Sequence, residues 1–209
     1  MKCYKLTDEF SKTKNNTLWG KNISHTAVGD INNNLCSDAW IHWYKNPLIA
    51  VLMNPVHANF DSPILWEAES SGKEIHEPFK SGSRTLTTLI PIELPHVTLI
   101  QKIAFGVLCV KQVCFVPEWN IWADRWLSGE DRSETSAYAA SDTAYAASNA
   151  ASNTAAYAAA YAASNTSASN TAYAASNAAA YAADAADIAA SNADYPNPFL
   201  NIEQEAMKY

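Results

Sequence analysis

The chain has 209 residues, a formal net charge of -7 at pH 7 and 48% hydrophobic residues, which is enough apolar material for a globular domain. Residues 133–207 contain no lysine or arginine, which argues against binding to nucleic acid or to an anionic membrane, because both depend on cationic side chains. The amino-terminal residues MKCYKLTDEF lack the apolar core of a signal peptide, and no run approaches the ~18 apolar residues of a membrane span, so the sequence predicts a soluble cytoplasmic protein.

The first half of the chain predicts a small mixed or antiparallel sheet. Strands are expected over residues 2–6 and in the segments AWIHWY, ILWEAES and TLTTLIPIEL, which are rich in aromatic and β-branched residues or alternate in polarity. Residues 11–39 are rich in Asn, Lys, Thr and Gly and are expected to form loops, and SSGKE is expected to form a turn. Asn46 followed by Pro47 predicts a helix start, with one or two helical turns through Met53.

Two packed helices are expected after the sheet. Thr98 and Gln101 have the spacing of a capping box, and the apolar run LIQKIAFGVLCV that follows predicts a buried helix. A second helix is expected between Pro117 at its first position and Gly129 just past its end. Its three tryptophans share one face, which we interpret as a core face docked on the sheet: Trp119, Trp122 and Trp126.

The segment from residue 133 to residue 195 is rich in alanine, the strongest helix former, and contains neither glycine nor proline before Tyr195. It predicts either one long helix or a helical hairpin broken near residues 164–171, where Ser, Asn and Thr weaken the helix propensity. Heptad spacing of large side chains suggests a bundle seam, so the residues expected to drive homo-oligomerisation are Tyr138, Tyr145, Tyr181, Ile188 and Tyr195.

The predicted fold class is therefore α+β. Residues 1–132 are expected to form a globular head with a small sheet and two packed helices, and residues 133–195 an Ala-rich helical tail that oligomerises or braces it. Residues 196–209 are expected to form a short amphipathic docking helix with Asn197 as its N-cap and Pro198 at its first position.

No sequence motif for catalysis or for metal binding is present. The four cysteines form no CxxC pair, the five histidines are spread along the chain, and phosphate-binding glycine loops and nucleophile elbows are missing, so no metal, cofactor or catalytic residue is predicted. Glu67 and Glu69 share one face of a predicted strand and are the carboxylates that acid–base chemistry would use, although a solvated strand face accounts for them more simply.

One group of aromatic and cationic residues in the head suggests a ligand-binding site. Aromatic rings with histidine and arginine donors suit a nucleotide-like or sugar-phosphate ligand. The residues predicted to bind it are Trp19, His25, Trp40, His42, His57 and Arg84, with Trp43 beside them.

The segments TLWG, AWIHWYKNPLIAVLMNPVHANF, ILWEAE and WLSGEDRS resemble an uncharacterised family of phage and prophage proteins, in which a head of this kind precedes an Ala-rich repetitive tail. The resemblance covers residues 1–133 and carries no established activity. The segment WIHWYKNPLIA also resembles a broader phage domain of unknown function, with Ala39 and Trp40 in place of its Gly-Phe start. The order of elements is similar to that of ADP-ribosyltransferase-like folds, without positions that match their catalytic set.

Three functions remain open from the sequence. The first is a non-enzymatic phage accessory protein in the cytoplasm of an infected bacterial cell, which binds a small nucleotide-like ligand or a host protein and counters host defence by sequestering a nucleotide-derived immune signal. The second is a structural or assembly protein that uses the long helix as a bundle or spacer. The third is an ADP-ribosyltransferase-like enzyme, which would need Glu67 or Glu69 in a cleft beside histidine or arginine.

Overall fold

The computed structural model describes residues 1–151, 163, 199 and 201–209. Within these residues the protein is α+β, with antiparallel strands and five α-helices. The chain forms two compact units, Met1–His96, which contains the strands and one helix, and Val97–Tyr209, which contains the remaining helices. The expected head of residues 1–132 therefore covers the first unit together with the first helices of the second.

The strands of the first unit are β1 Lys2–Thr7, β2 Lys12–Thr13, β3 Thr17–Leu18, β4 Ile23–Thr26, β5 Ile41–Trp43, β6 Ile64–His76 and β7 Ser81–Ile92. The helices are α1 Pro47–His57 in the first unit and α2 Leu99–Lys111, α3 Pro117–Ser128, α4 Glu134–Ala151 and α5 Ile202–Ala206 in the second.

Hydrogen bonds join four strands of the first unit into a closed ring. β1 pairs with β6, β6 with β7 and β7 with β5, each pair antiparallel. Tyr44, which follows β5, pairs back with Tyr4 of β1 through two backbone hydrogen bonds of 2.8 and 2.9 Å. β4 extends along the edge of β7 that β5 also uses, and β2 and β3 form a separate small hairpin.

Five buried residues form one hydrophobic core cluster of the first unit: Cys3, Trp19, Trp43, Ala68 and Leu86. Side chains alternate between the two faces of a strand, so Lys5 lies on the same face of β1 as Cys3. A lysine is thereby directed towards an apolar core, where charged side chains are rarely found.

The loop prediction for residues 11–39 is wrong where the chain forms β2, β3 and β4, and the turn prediction for SSGKE is wrong as well. Residues 23–26, expected to lie in a loop, form β4, which is held by polar cross-strand contacts such as Thr26 Oγ1 to Thr85 Oγ1 at 3.1 Å. The segment SSGKE, expected to be a turn, lies within β6, where the pairing register shifts between Ser71 and Glu74. Gly72 has a φ of 81°, so a bulge bends the strand there without ending it.

Helix α1 begins as predicted and ends later. The Asn46 side chain accepts a hydrogen bond of 2.9 Å from the Ile49 N–H, which is the expected N-cap contact. The helix continues beyond Met53 to His57 although Pro55 has no N–H to donate, and its last turn is closed by the Ala58 N–H, which donates to the Asn54 carbonyl at 3.0 Å. His57 is thereby placed at the carboxyl end of a helix instead of in a loop.

The termini of α2 and α3 follow the sequence signals. Thr98 and Gln101 form both hydrogen bonds of the capping box, and Gly129 ends α3 in the left-handed conformation with a φ of 80°. The predicted tryptophan face is buried, with Trp119, Trp122 and Trp126 each at most 6% exposed, whereas its docking on the sheet stays a prediction. Within the second unit α3 packs against α2 and α4.

The described part of the Ala-rich tail is helix α4. Ala137, Ala140 and Ala144 are buried at helical spacing, and α4 packs against α3. Tyr138 lies on the other side of α4 and is 50% exposed. Tyr145 is in α4, while Tyr181, Ile188 and Tyr195, with the proposed break at residues 164–171, lie outside the described residues.

The carboxyl-terminal segment contains the short helix α5, which packs against α2. The Gln101 side chain donates a hydrogen bond of 3.1 Å to the Met207 carbonyl, and Phe199, Ile202 and Ala206 are buried. The helix begins at Ile202, whereas Asn197 and Pro198, the expected start, lie outside the described residues.

In the part of the chain that the structure describes, every helix is too short or too polar to cross a lipid bilayer.

Candidate functional site

Lys5 is the central residue of the candidate site. Its side chain is 8% exposed, its Nζ donates a hydrogen bond of 2.8 Å to the His42 carbonyl, and the same nitrogen lies 5.1 Å from the centre of the Trp19 ring. None of the ion pairs in the described chain includes it. Burial lowers the pKa of Lys5 to about 8 because the ammonium form is poorly solvated there.

Trp19 is held beside Lys5 by a hydrogen bond and by an aromatic contact. Its indole N–H donates to Thr13 Oγ1 at 2.9 Å, which ties it to the hairpin of β2 and β3. His25 meets the Trp19 ring edge-on, with ring centres 4.6 Å apart, and its Nε2 lies 2.8 Å from the Leu18 carbonyl oxygen. The structure therefore brings together two of the predicted ligand-binding residues and adds a lysine to them.

His42 joins Lys5 to a second group of side chains. Its Nε2 lies 2.6 Å from the Leu35 carbonyl oxygen and must carry the proton, since a carbonyl oxygen only accepts. Burial, with smaller contributions from the positive charges of Lys80, Lys5 and Lys14, lowers the pKa of His42 to about 4, although the hydrogen bond to the Leu35 carbonyl acts in the opposite direction. His42 is therefore neutral at physiological pH and lies in a field of positive charge.

His57 is stacked on Tyr44, with ring centres 5.9 Å apart and the planes inclined by 16°. Its Nδ1 is buried and has no hydrogen-bond partner among the described residues. Burial, with smaller contributions from Lys80 and His42, lowers the pKa of His57 to about 3. Burial also raises the pKa of Tyr44, so both rings of the stack are uncharged at neutral pH.

Lys80 completes this group from the turn between β6 and β7. It is half-buried, and its Nζ donates a 3.2 Å hydrogen bond to the sulfur of the exposed Cys36. We define the lysine–histidine cluster as Lys5, Lys14, Lys80, His42 and His57. Lys80 lowers the pKa of both histidines of the cluster, and Lys5 and Lys14 lower that of His42. No ion pair in the described chain involves these three lysines.

Arg84 and Trp40 lie at a different place, along the loop from residue 27 to residue 40. The Arg84 guanidinium donates to the carbonyls of Ala27, Gly29 and Ala39 at 2.7, 2.6 and 2.8 Å. The Trp40 indole N–H donates to the Asn32 carbonyl at 3.1 Å. Both side chains therefore bind the backbone of the loop. That they also bind a ligand stays a prediction.

Glu67 and Glu69 are the carboxylates considered for catalysis. No contact in the described chain joins either of them to the lysine–histidine cluster. Glu67 forms an ion pair of 2.8 Å with the exposed Lys2, and Glu69 is exposed. Within the described residues, no three His, Cys, Asp or Glu side chains converge as ligands of a metal ion. The arrangement suits the binding of an anion better than acid–base chemistry.

The sequence prediction missed Lys5, Lys14, Lys80 and Tyr44. The alternation of KCYKLT places Lys5 on the face of Cys3, which is the one signal that could have indicated a buried lysine. Lys80 lowers the pKa of His42 from a turn that lies far from His42 in sequence, so no local pattern indicates this effect.

Comparisons of the chain with protein-family models, with curated protein sequences and with solved structures found no match.

Proposed function

We propose that the unit Met1–His96 binds a small phosphorylated, nucleotide-like ligand at the lysine–histidine cluster, and that the protein is a non-enzymatic phage accessory protein. The observation that carries this proposal is Lys5, a buried cation without a carboxylate partner in the described chain. Burying a charge is costly unless an opposite charge compensates it, so a bound anion would supply the counter-charge that the protein does not.

Two further features support an anionic ligand. Lys80 and Lys14 add positive charge around His42, which favours an anion with more than one negative oxygen. The unpartnered Nδ1 of His57 offers a hydrogen bond to such a group without adding a charge. Sequestration of a nucleotide-derived immune signal, without turnover, is the counter-defence role that this site would serve in the cytoplasm of an infected cell.

We expect AMP and inorganic phosphate to bind the full chain, and the Lys80→Met variant to bind both at least ten-fold more weakly, a loss of about 1.4 kcal/mol. The reason is that Lys80 acts on both histidines of the cluster and is accessible enough to be removed without opening the core. Isothermal titration calorimetry measures the change.

Lys73→Met is the matched control, because Lys73 is exposed on β6 and belongs to none of the contacts of the cluster. Equal affinity of the wild type and of both variants would contradict the proposed site. If the protein converts the nucleotide into a product, the sequestration role is wrong and the alternative of an enzyme is favoured.

We propose further that the Ala-rich tail is a long helix or helical hairpin, followed by a docking helix, and that it assembles copies of this chain. In α4 the alanine face is buried while Tyr138 is half exposed, so the tyrosine side of the helix is available to a second copy. An assembly protein that uses this helix as a bundle or spacer is the second candidate function, and the same exposed tyrosine supports it.

The full chain is expected to form a defined oligomer in light scattering, and Tyr138→Ser to shift it towards the monomer because it removes an aromatic side chain from the proposed contact. Tyr209→Ser is the control, since Tyr209 is also exposed but does not belong to α4. A monomeric wild type at all concentrations would contradict the assembly role.

A further inference from the structure

Helix α3 has one face that stays exposed. Its tryptophans are buried, whereas Glu118, Ile121, Arg125 and Ser128 are exposed at helical spacing on the side of the helix away from them. Ile121, at the middle of this face, is 57% exposed. An apolar side chain at the centre of an exposed helix face, with charged residues on either side of it, is typical of a contact with another protein surface.

Phe115 adds a large apolar side chain just before this face. It precedes the N-cap residue Val116, a position from which an apolar side chain commonly packs on the fourth residue of the helix. Here that fourth residue is Asn120, whose amide donates to the Cys114 and Val116 carbonyls at 2.9 and 3.1 Å. The usual apolar contact is therefore missing, and Phe115 is 82% exposed.

The charges of the exposed face are complementary to themselves. Glu118 lies three residues before Ile121 and Arg125 four residues after it, which is about 4.5 and 6 Å along the helix axis. Two copies of α3 that pack antiparallel about a two-fold axis beside Ile121 therefore bring Glu118 of each copy opposite Arg125 of the other.

Both charged side chains are available for such a contact. None of the ion pairs in the described chain includes Glu118. Arg125 pairs with Glu130 of its own chain at 3.6 Å, and both side chains are more than half exposed, so this pair contributes little and is easily exchanged.

The same two-fold axis places large side chains beside small ones. The Ile121 side chains of the two copies lie against each other, and Phe115 comes near Ser128 and Gly129, which end α3 in the second copy. A Cβ atom added to Gly129 would meet the end of the Arg132 side chain no closer than 3.8 Å, so this end of the helix leaves room for a ring.

We propose that the exposed face of α3 is an interface at which two copies of this chain pack antiparallel, with Ile121 at its centre and two Glu118–Arg125 pairs beside it. This interface is separate from the tail contact proposed above and does not depend on it. Because α3 has 12 residues and is ~18 Å long, the contact buries less than the ~1,200 Å² of a stable complex. The dimer is therefore weak, with a Kd on the order of 100 µM.

The test is sedimentation equilibrium of the full chain carrying Tyr138→Ser, between about 10 µM and 1 mM, so that the proposed tail contact is removed. We expect this chain to dimerise. Glu118→Arg and Arg125→Glu should each weaken dimerisation at least about ten-fold, because each change places two pairs of like charges together in the dimer. The double variant with both changes should restore the Kd to within about three-fold, because the pairs form again with the charges exchanged.

Ile121→Ser should also weaken dimerisation, and Ile90→Ser is its control, because Ile90 is an exposed isoleucine of β7. Circular dichroism verifies that each variant keeps its helix content. A Tyr138→Ser chain that stays monomeric up to about 1 mM would overturn the inference. If the wild type nevertheless forms an oligomer, the tail contact stands without the α3 interface.

A double variant that dimerises as weakly as the single charge reversals would also overturn the inference. In that case Glu118 and Arg125 do not face each other across the interface. A wild type that is monomeric at every concentration would overturn both the α3 interface and the tail contact.

Discussion

The Lys5→Met variant is expected to be more stable than the wild type at pH 7, by up to about 3 kcal/mol. The pKa of Lys5 is lowered from 10.5 to about 8, and each unit corresponds to about 1.4 kcal/mol of cost for the buried ammonium form. Methionine fills a similar volume without a charge, and replacing buried charges by apolar residues is often stabilising. Urea unfolding followed by tryptophan fluorescence measures the difference.

The pH dependence of the same variant provides a second measurement. Below about pH 8 Lys5 is protonated in both the folded and the unfolded chain, and the folded state bears the full cost. Between about pH 8 and pH 10.5 the folded protein has lost this proton while the unfolded chain keeps it, so the free energy of unfolding of the wild type rises with pH. The Met variant should lack this rise.

Lys73→Met serves as the control and should change the free energy of unfolding by less than about 0.5 kcal/mol, because Lys73 is exposed. A Lys5→Met variant that is less stable than the wild type would show that the ammonium contributes to folding and is not retained for a ligand. The anion site also requires that phosphate raises the melting temperature of the wild type and leaves that of the Met variant unchanged.

Replacing Arg84 with methionine is expected to lower the free energy of unfolding by about 3 kcal/mol and to expose the loop from residue 27 to residue 39. The guanidinium donates to three carbonyls of this loop, and methionine removes all of these donors while leaving the acceptors half-buried. Amide hydrogen exchange across the loop, together with urea unfolding, measures both effects.

Arg125→Met is the control, because Arg125 is exposed on α3 and its ion pair with Glu130 lies at 3.6 Å on the surface. If Arg84 served the ligand, as its residue type suggested, its replacement would weaken AMP binding while hydrogen exchange in the loop stayed unchanged. That outcome would contradict the role we assign to its three hydrogen bonds.

The features that the sequence predicted correctly depend on residues close together in the chain. The capping box of Thr98 and Gln101, the Asn46 cap and the Gly129 helix end are each formed within a few residues, so local preferences suffice to recognise them. Burial of the α3 tryptophans follows in the same way from helical spacing.

The candidate site depends on residues that are distant in sequence, and the sequence indicated only part of it. His42 and His57 were among the predicted residues, but Lys5, which donates to the His42 carbonyl, was not. Lys5 comes from β1, which is joined to the end of β5 by the pairing of Tyr4 with Tyr44. β4 was missed because its residues ISHT carry little apolar character and it gains its place from pairing with β7.

The pairing of β1 also sets the order in which the first unit assembles during synthesis. β1 is translated before its partners, which are Tyr44 and the residues of β6 from Ile64 to Glu69. Its backbone donors and acceptors therefore stay unpaired until most of the unit has been translated, and contacts this far apart in sequence form slowly. The nascent chain carries an open strand edge throughout that interval, when it is most exposed to pairing with other chains and to capture by chaperones.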